Sequence, residues 1–176
     1  MTTTYVLLLR GINVNPTTKI AMSDLRELVE GLGYTEVRTL LQSGNVLLTS
    51  RNRPAAAPLE SAIASKTGVR SKVVVLSLAE LESIASANPL RAVSDDLSKM
   101  VITFLDDEIV PGDVERPTDA ALAPERLVIT PRAIYQWCPD GILQSQLKPS
   151  WWRQFGPVAT TRNVRTVNRI LAAAAS

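Results

Sequence analysis

The sequence predicts an α+β fold: an N-terminal ferredoxin-like β-α-β-β-α-β half with an antiparallel sheet, followed by a smaller α/β half that ends in a helix. Three observations predict it. The first 76 residues alternate two kinds of hydrophobic period in the order strand, helix, strand, strand, helix, strand. The composition is that of an ordinary globular chain, with 176 residues, 45% hydrophobic and 20% charged. A single cysteine, Cys138, permits no intrachain disulfide, and a chain of this size builds a core without one.

Each element has a local reason. Thr4 to Leu9 is nearly all apolar, as a strand buried on both faces is. Met22, Leu25, Leu28, Val29 and Leu32 fall at helical spacing, with Ser23 or Asp24 as the expected cap and Gly31 and Gly33 as the stop. Glu36 to Leu41 and Asn45 to Ser50 read as two strands around a Gln42-Ser43-Gly44 turn. Pro54 and Pro58 open a helix over Ala55 to Thr67, which Gly68 ends, and Ser71 to Leu76 is another apolar strand. Helices then lie on one face of the sheet.

In the second half, Ala79 to Ala87 reads as a helix that Asn88-Pro89 ends. Met100 to Leu105 is a strand. The acidic stretch Asp106 to Glu125 is a loop with a short helix near Asp119 to Leu122. Leu127 to Thr130 and Ala133 to Trp137 flank a Pro131-Arg132 turn. A helix is expected over Ile142 to Leu147 and the last over Asn163 to Ala174. The boundary near Asn88 gives two halves, 1–87 and 88–176, with the C-terminal helix packing back on the first.

Charge narrows the function. The net charge of +2 does not indicate a globally basic nucleic-acid binder. Yet Gly141 to Ser176 carries five basic residues and no acid, whereas Asp106 to Glu125 carries seven acids and one Arg. Such asymmetry marks either a binding face or two stretches that attract each other. The absence of histidine removes Ser-His-Asp and Cys-His catalysis and most zinc sites. No apolar run is long enough to span a membrane, and the N-terminus reads as a strand rather than a signal peptide, so a cytoplasmic location is expected. Asp106-Asp107-Glu108 reads as a solvated charge run; no metal and no cofactor is expected.

Two junctions point to an anion. Arg10-Gly11-Ile12-Asn13, with Lys19, lies between the first strand and first helix, where loop N–H groups, a helix start and two cations favour negative charge. Neither GxxxxGK[ST] nor GxGxxG is present. Thr160-Thr161-Arg162-Asn163 precedes the last helix, on which Arg162, Arg165 and Arg169 line up. Gln42-Ser43-Gly44-Asn45 is either a second site or plain turn chemistry. Lys148 to Phe155 interleaves Trp151, Trp152 and Phe155 with cations, which suits a core or an interface before nucleic-acid stacking.

"LLLRGINV…KIAMSDLRELVEGLGYTEVRTLLQSGNVLLTS" resembles the opening of the bacterial family catalogued as domain of unknown function 1697, and "VATTRNVRTVNRI" resembles its closing TTRN motif. Arg10, Gly11, Asn13, Gln42, Ser43, Gly44, Asn45, Thr160, Thr161, Arg162 and Asn163 match its motifs. The resemblance implies architecture and no established activity. This chain departs at Asn15-Pro16, where the family usually shows Gly-Gly, and at Val164, where it often shows an aromatic.

The expected function is a binding module for a phosphate-bearing ligand: a nucleotide, a phosphorylated metabolite or an RNA segment. The alternatives are a histidine-free enzyme on phosphate or acyl groups, using Lys19, Asp24, Tyr34 or Ser43, and an assembly protein that docks through Trp151-Trp152. The Arg10 loop and the Gln42 turn are expected at opposite ends of the sheet, so the favoured site joins Arg10, Gly11, Asn13 and Lys19 to Thr160, Thr161, Arg162 and Asn163.

Overall fold

The computed structural model describes residues 1–157 and 159–176; Val158, within the VATTRN stretch, lies outside the described residues. The chain divides into two units, Met1–Glu82 with Ile170–Ser176, and Ser83–Arg169. Among the described residues there are two four-stranded antiparallel sheets and six α-helices.

The first unit contains β1 (Thr3–Leu9), α1 (Met22–Gly31), β2 (Thr35–Leu40), β3 (Asn45–Ser50), α2 (Ala56–Thr67) and β4 (Val73–Ser77). Its sheet runs β2-β3-β1-β4, and every pairing is antiparallel. Alternation sorts the side chains. Tyr5, Leu7, Leu9, Val46, Leu48, Val73 and Val75 pack with Leu25, Leu28 and Val29 of α1 and Leu59 and Ile63 of α2. The intervening Val6, Leu8, Leu47, Val74 and Leu76 are buried as well, which is why these strands lack a polar stripe. Gly68 ends α2 in the left-handed conformation, as expected. Helix α1 differs at its start: the cap position is Ala21 and makes no side-chain hydrogen bond, while Asp24 sits in the first turn. A carboxylate there meets the helix dipole instead of capping it.

Helix α3 (Leu78–Ser86) leads into the second unit, which holds β5 (Met100–Phe104), α4 (Asp119–Leu122), β6 (Arg126–Ile129), β7 (Ala133–Trp137), α5 (Pro149–Trp152) and β8 (Thr160–Asn163); α6 (Val164–Ala175) begins in this unit and from Ile170 onward belongs to the first. The strand order is β6-β7-β5-β8. Leu105, Leu122, Leu127, Ile134 and Leu147 form a core against which Trp151, Trp152 and Phe155 pack. The three rings meet edge-on or tilted at centroid distances of 4.8 to 5.8 Å, and the Trp151 indole N–H donates to the Glu115 carbonyl at 2.6 Å.

Two expectations are corrected here. Ile142 to Leu147 does not form a helix. A single 3-10 turn over Ile142–Gln144 is followed by extended chain, because the buried Glu125 carboxylate accepts from the Ser145 hydroxyl at 2.8 Å and the Gln146 N–H at 2.6 Å. Thr160–Asn163 is a strand rather than a loop, since it completes the open side of β5, with Thr161 Oγ1 2.7 Å from Thr103 Oγ1. The helix begins only after Asn163, whose Oδ1 accepts the Thr166 N–H at 2.8 Å.

Side chains close the outer edge of β4. Glu60 Oε1 accepts the Val73 N–H at 3.1 Å, Arg53 donates to the Val75 carbonyl at 2.6 Å, and Glu80 Oε2 accepts the Ser77 N–H at 2.7 Å. Arg53 and Glu80 also pair with each other at 2.8 Å. At β6, Arg116 donates to the Leu127 carbonyl at 3.2 Å. In the first unit, Arg38 donates to the Ala173 carbonyl in the last turn of α6 at 2.7 Å, satisfying an acceptor that the helix itself cannot.

Candidate anion site at one end of the first sheet

The first strand ends beside the start of the third. Register Leu8↔Asn45 puts residues 9 to 13 next to the turn that precedes Asn45. The Leu9 N–H donates to the Gly44 carbonyl at 2.9 Å, and Asn13 Nδ2 donates to the Gln42 carbonyl at 2.7 Å. The expectation that the two motifs lie at opposite ends of the sheet is therefore wrong. Antiparallel pairing of β1 with β3 brings the exit of one to the entrance of the other.

Asn13 organises the loop from within. Its Oδ1 accepts the Ile20 N–H at 2.9 Å, and its Nδ2 also donates to the Ile20 carbonyl at 3.1 Å. Its φ of 55° lies in the left-handed region, which Asn tolerates better than most residues. Between these anchors, Asn15 caps a 3-10 turn over Pro16–Thr18, and its Oδ1 accepts the Thr17 N–H at 3.0 Å. Asn15-Pro16 thus builds a fixed turn where two glycines would leave a pliant one.

The turn residues fill matching roles. Asn45, fully buried, donates through Nδ2 to the Leu40 carbonyl at 2.8 Å and the Ser43 hydroxyl at 2.9 Å. Gly44 has φ +83° and is buried; a Cβ there would stand 2.5 Å from Ile12 Cδ1 and 3.0 Å from Leu9 Cβ. Ile12, 2% exposed, thus plugs the space above a residue that has to be glycine.

What reaches solvent is cationic and aliphatic. Arg10 and Lys19 are exposed, as are Gly11, Gln42 and Ser43. Val14 and Leu41, neighbours of the bonded Asn13 and Gln42, are 71% and 37% exposed. The sequence reading missed a third segment. The Arg10 N–H donates to the Lys72 carbonyl at 2.9 Å, and the buried Ser71 hydroxyl donates to the Arg10 carbonyl at 2.9 Å. Arg70 and Lys72, both exposed, therefore join Arg10 at the same end. The signal available was only that Arg70-Ser71-Lys72 opens an apolar strand.

Thr160, Thr161, Arg162 and Asn163 belong to the second unit. Arg162 is 7% exposed and donates to the Thr160 hydroxyl at 3.0 Å and the Thr161 carbonyl at 2.9 Å. Desolvation pushes its guanidinium down to about 10, which leaves it charged at neutral pH. It acts as an internal tie between neighbouring groups of its own strand.

Glu125 is the centre of the other polar cluster. Besides Ser145 and Gln146 it accepts from Gln136 Nε2 at 2.9 Å, and Cys138 Sγ lies 4.0 Å away. Burial, with the Glu125 charge, pushes the Cys138 thiol up to about 12. A thiol so placed is no nucleophile at neutral pH. Glu108 stands 4.0 Å from Arg132, and among the described residues no three His, Cys, Asp or Glu side chains come together as metal ligands. No helix among the described residues is long and apolar enough to cross a membrane.

A family model described as "Protein of unknown function (DUF1697)" matches residues 1–135. A solved structure, that of the conserved bacterial protein SP0830 from Streptococcus pneumoniae, is similar along the whole of both chains, with a TM-score of 0.71 at 23% identity. At that identity the likeness shows a shared fold. No curated protein matches this chain.

Proposed function

We propose, for a chain that belongs to the DUF1697 family, a binding module for a phosphate-bearing ligand, with the ligand held at the end of the first sheet by Arg10 and Lys19 beside Gly11, Gln42 and Ser43. The observation that carries this reading is the 2.7 Å bond from Asn13 to the Gln42 carbonyl. It joins the two motifs into one rigid rim with exposed cations on it. Rigid donors bind an anion without the entropy cost of ordering a loop. This reading leaves out Thr160 to Asn163, because Arg162 is buried among partners of its own strand.

Titration of the protein with nucleotides, phosphorylated metabolites and RNA oligomers at low ionic strength tests the proposal. Binding is expected to weaken as salt rises. An Arg10→Ala/Lys19→Ala double variant is expected to lose about tenfold in affinity, the sum of two exposed charge contacts. Arg162→Ala is expected to lower stability and leave affinity unchanged. Absence of binding at low salt, or a double variant that behaves like the parent, refutes the reading.

A further inference from the structure

Arg10 and Lys72 occupy opposed positions where β1 meets β4. The register Leu9↔Val73 continues one step through the Arg10 N–H donated to the Lys72 carbonyl at 2.9 Å. Opposed residues on antiparallel strands hold their Cβ atoms about 5 Å apart, so the two long cationic side chains start from neighbouring points. The buried Ser71 hydroxyl, donating to the Arg10 carbonyl, fastens this juxtaposition.

Beyond Lys72 an open groove of about 540 Å³ lies between the start of β4 and helix α2, lined by Glu60, Ser61, Ala64, Arg70, Ser71 and Lys72. Its one acid, Glu60, is committed to the Val73 N–H at 3.1 Å and to Lys72 Nζ at 3.2 Å. Ser61 and Arg70 are exposed along it. Of the only aromatic residues of this unit, Tyr5 is buried in its core cluster and Tyr34, partly buried, packs against that cluster. No exposed ring offers a base a stacking surface, so recognition here reads charge.

The geometry points to a ligand that carries two or three linked phosphates, the first held at Arg10 and the next on the Lys72–Arg70 side of the groove. This rests on the phosphate reading above and extends it from a single anion to an oligophosphate chain, whether that of a nucleoside di- or triphosphate or free inorganic oligophosphate. The backbones that carry Arg10 and Lys72 run one strand spacing apart, about 4.8 Å, and their long side chains can reach adjoining phosphoryl groups. An isolated phosphate engages one side only.

Calorimetric titration of the full chain at low ionic strength with orthophosphate, tripolyphosphate, ATP and a single-stranded RNA oligomer tests it. Tripolyphosphate is expected to bind about tenfold or more tightly than orthophosphate. Arg70→Ala is expected to remove about fivefold of the tripolyphosphate affinity and leave orthophosphate unchanged, whereas Arg10→Ala lowers both. Arg91→Ala, an exposed charge in the second unit, changes neither. Parity of ATP with tripolyphosphate assigns the phosphate chain itself as the recognised group; a preference for ATP assigns the nucleotide. Equal affinity for orthophosphate and tripolyphosphate, or an Arg70→Ala variant that binds tripolyphosphate like the parent, overturns this inference and leaves the single-phosphate reading standing. RNA bound more tightly than tripolyphosphate, and independently of Arg70, also overturns it. Failure of all four probes removes both readings.

Discussion

The amide of Asn13 bridges two segments 29 residues apart: Nδ2 donates to the Gln42 carbonyl at 2.7 Å, while Oδ1 accepts from Ile20 at 2.9 Å. One side chain thereby fixes the path of the loop between β1 and α1 and joins it to the β2–β3 turn.

Asn13→Ala is expected to destabilise the fold by about 1–3 kcal/mol, because the Ile20 and Gln42 carbonyls and the Ile20 N–H lose their partner. Asn13→Gly keeps the left-handed backbone and loses the same bonds, so it separates the two contributions. Urea midpoints of the three proteins give the comparison, with Gly expected between Asn and Ala.

Gly44→Ala is expected to cost about 2–4 kcal/mol, from a Cβ driven into Ile12 and from positive φ. Shortening Ile12 opens the space, so Ile12→Ala/Gly44→Ala is expected to be less destabilised than the sum of the single variants. Strict additivity in thermal melts would show that Ile12 is not the obstacle.

Glu80 governs part of the acid limb. Burial opposes its ionisation, but the hydrogen bond from the Ser77 N–H, together with the hydrogen bond and charge of Arg53, outweighs it and holds the carboxyl below its usual 4.5. A carboxyl lowered on folding adds stability above its unfolded value, and that stability disappears as pH falls through the folded value. Asp96, lowered chiefly by the Ser98 hydroxyl and N–H, adds in the same direction. Stability is thus expected to decline from about pH 4.5 downward. Glu80→Gln is expected to be less stable at neutral pH and to show a shallower decline, measured by denaturation between pH 3 and 7.

Cys138 is expected to resist alkylation in the native protein, with its thiol at about 12 and 1% exposed. Modification by iodoacetamide at neutral pH should follow global unfolding, so its rate should rise in step with urea. Rapid labelling of native protein would show that the pocket beside Glu125 opens.

Much of this fold was legible in local patterning. The all-apolar runs of β1 and β4, the helical spacing from Met22 to Val29 and the Gly68 stop each state their element within a few residues. What patterning could not supply was anything decided by a partner far away in sequence. Thr160–Asn163 has no alternation of its own and becomes a strand because β5 leaves a side open. Ile142 to Leu147 has helical composition, yet Glu125, some twenty residues earlier, captures its backbone. The union of the Arg10 and Gln42 segments follows from strand direction, which residue types do not encode. Arg70 and Lys72 were missed for the same reason: they reach Arg10 through a ladder pairing 61 or more residues removed from it in sequence.

The closed margin of β4 has a consequence for behaviour in concentrated solution. A bare outer strand invites neighbouring molecules to extend the sheet. Here Arg53, Glu60 and Glu80 occupy the places that a visiting strand would take. These three residues therefore guard the sheet margin: a chain without them is expected to join edge to edge with its own copies more readily.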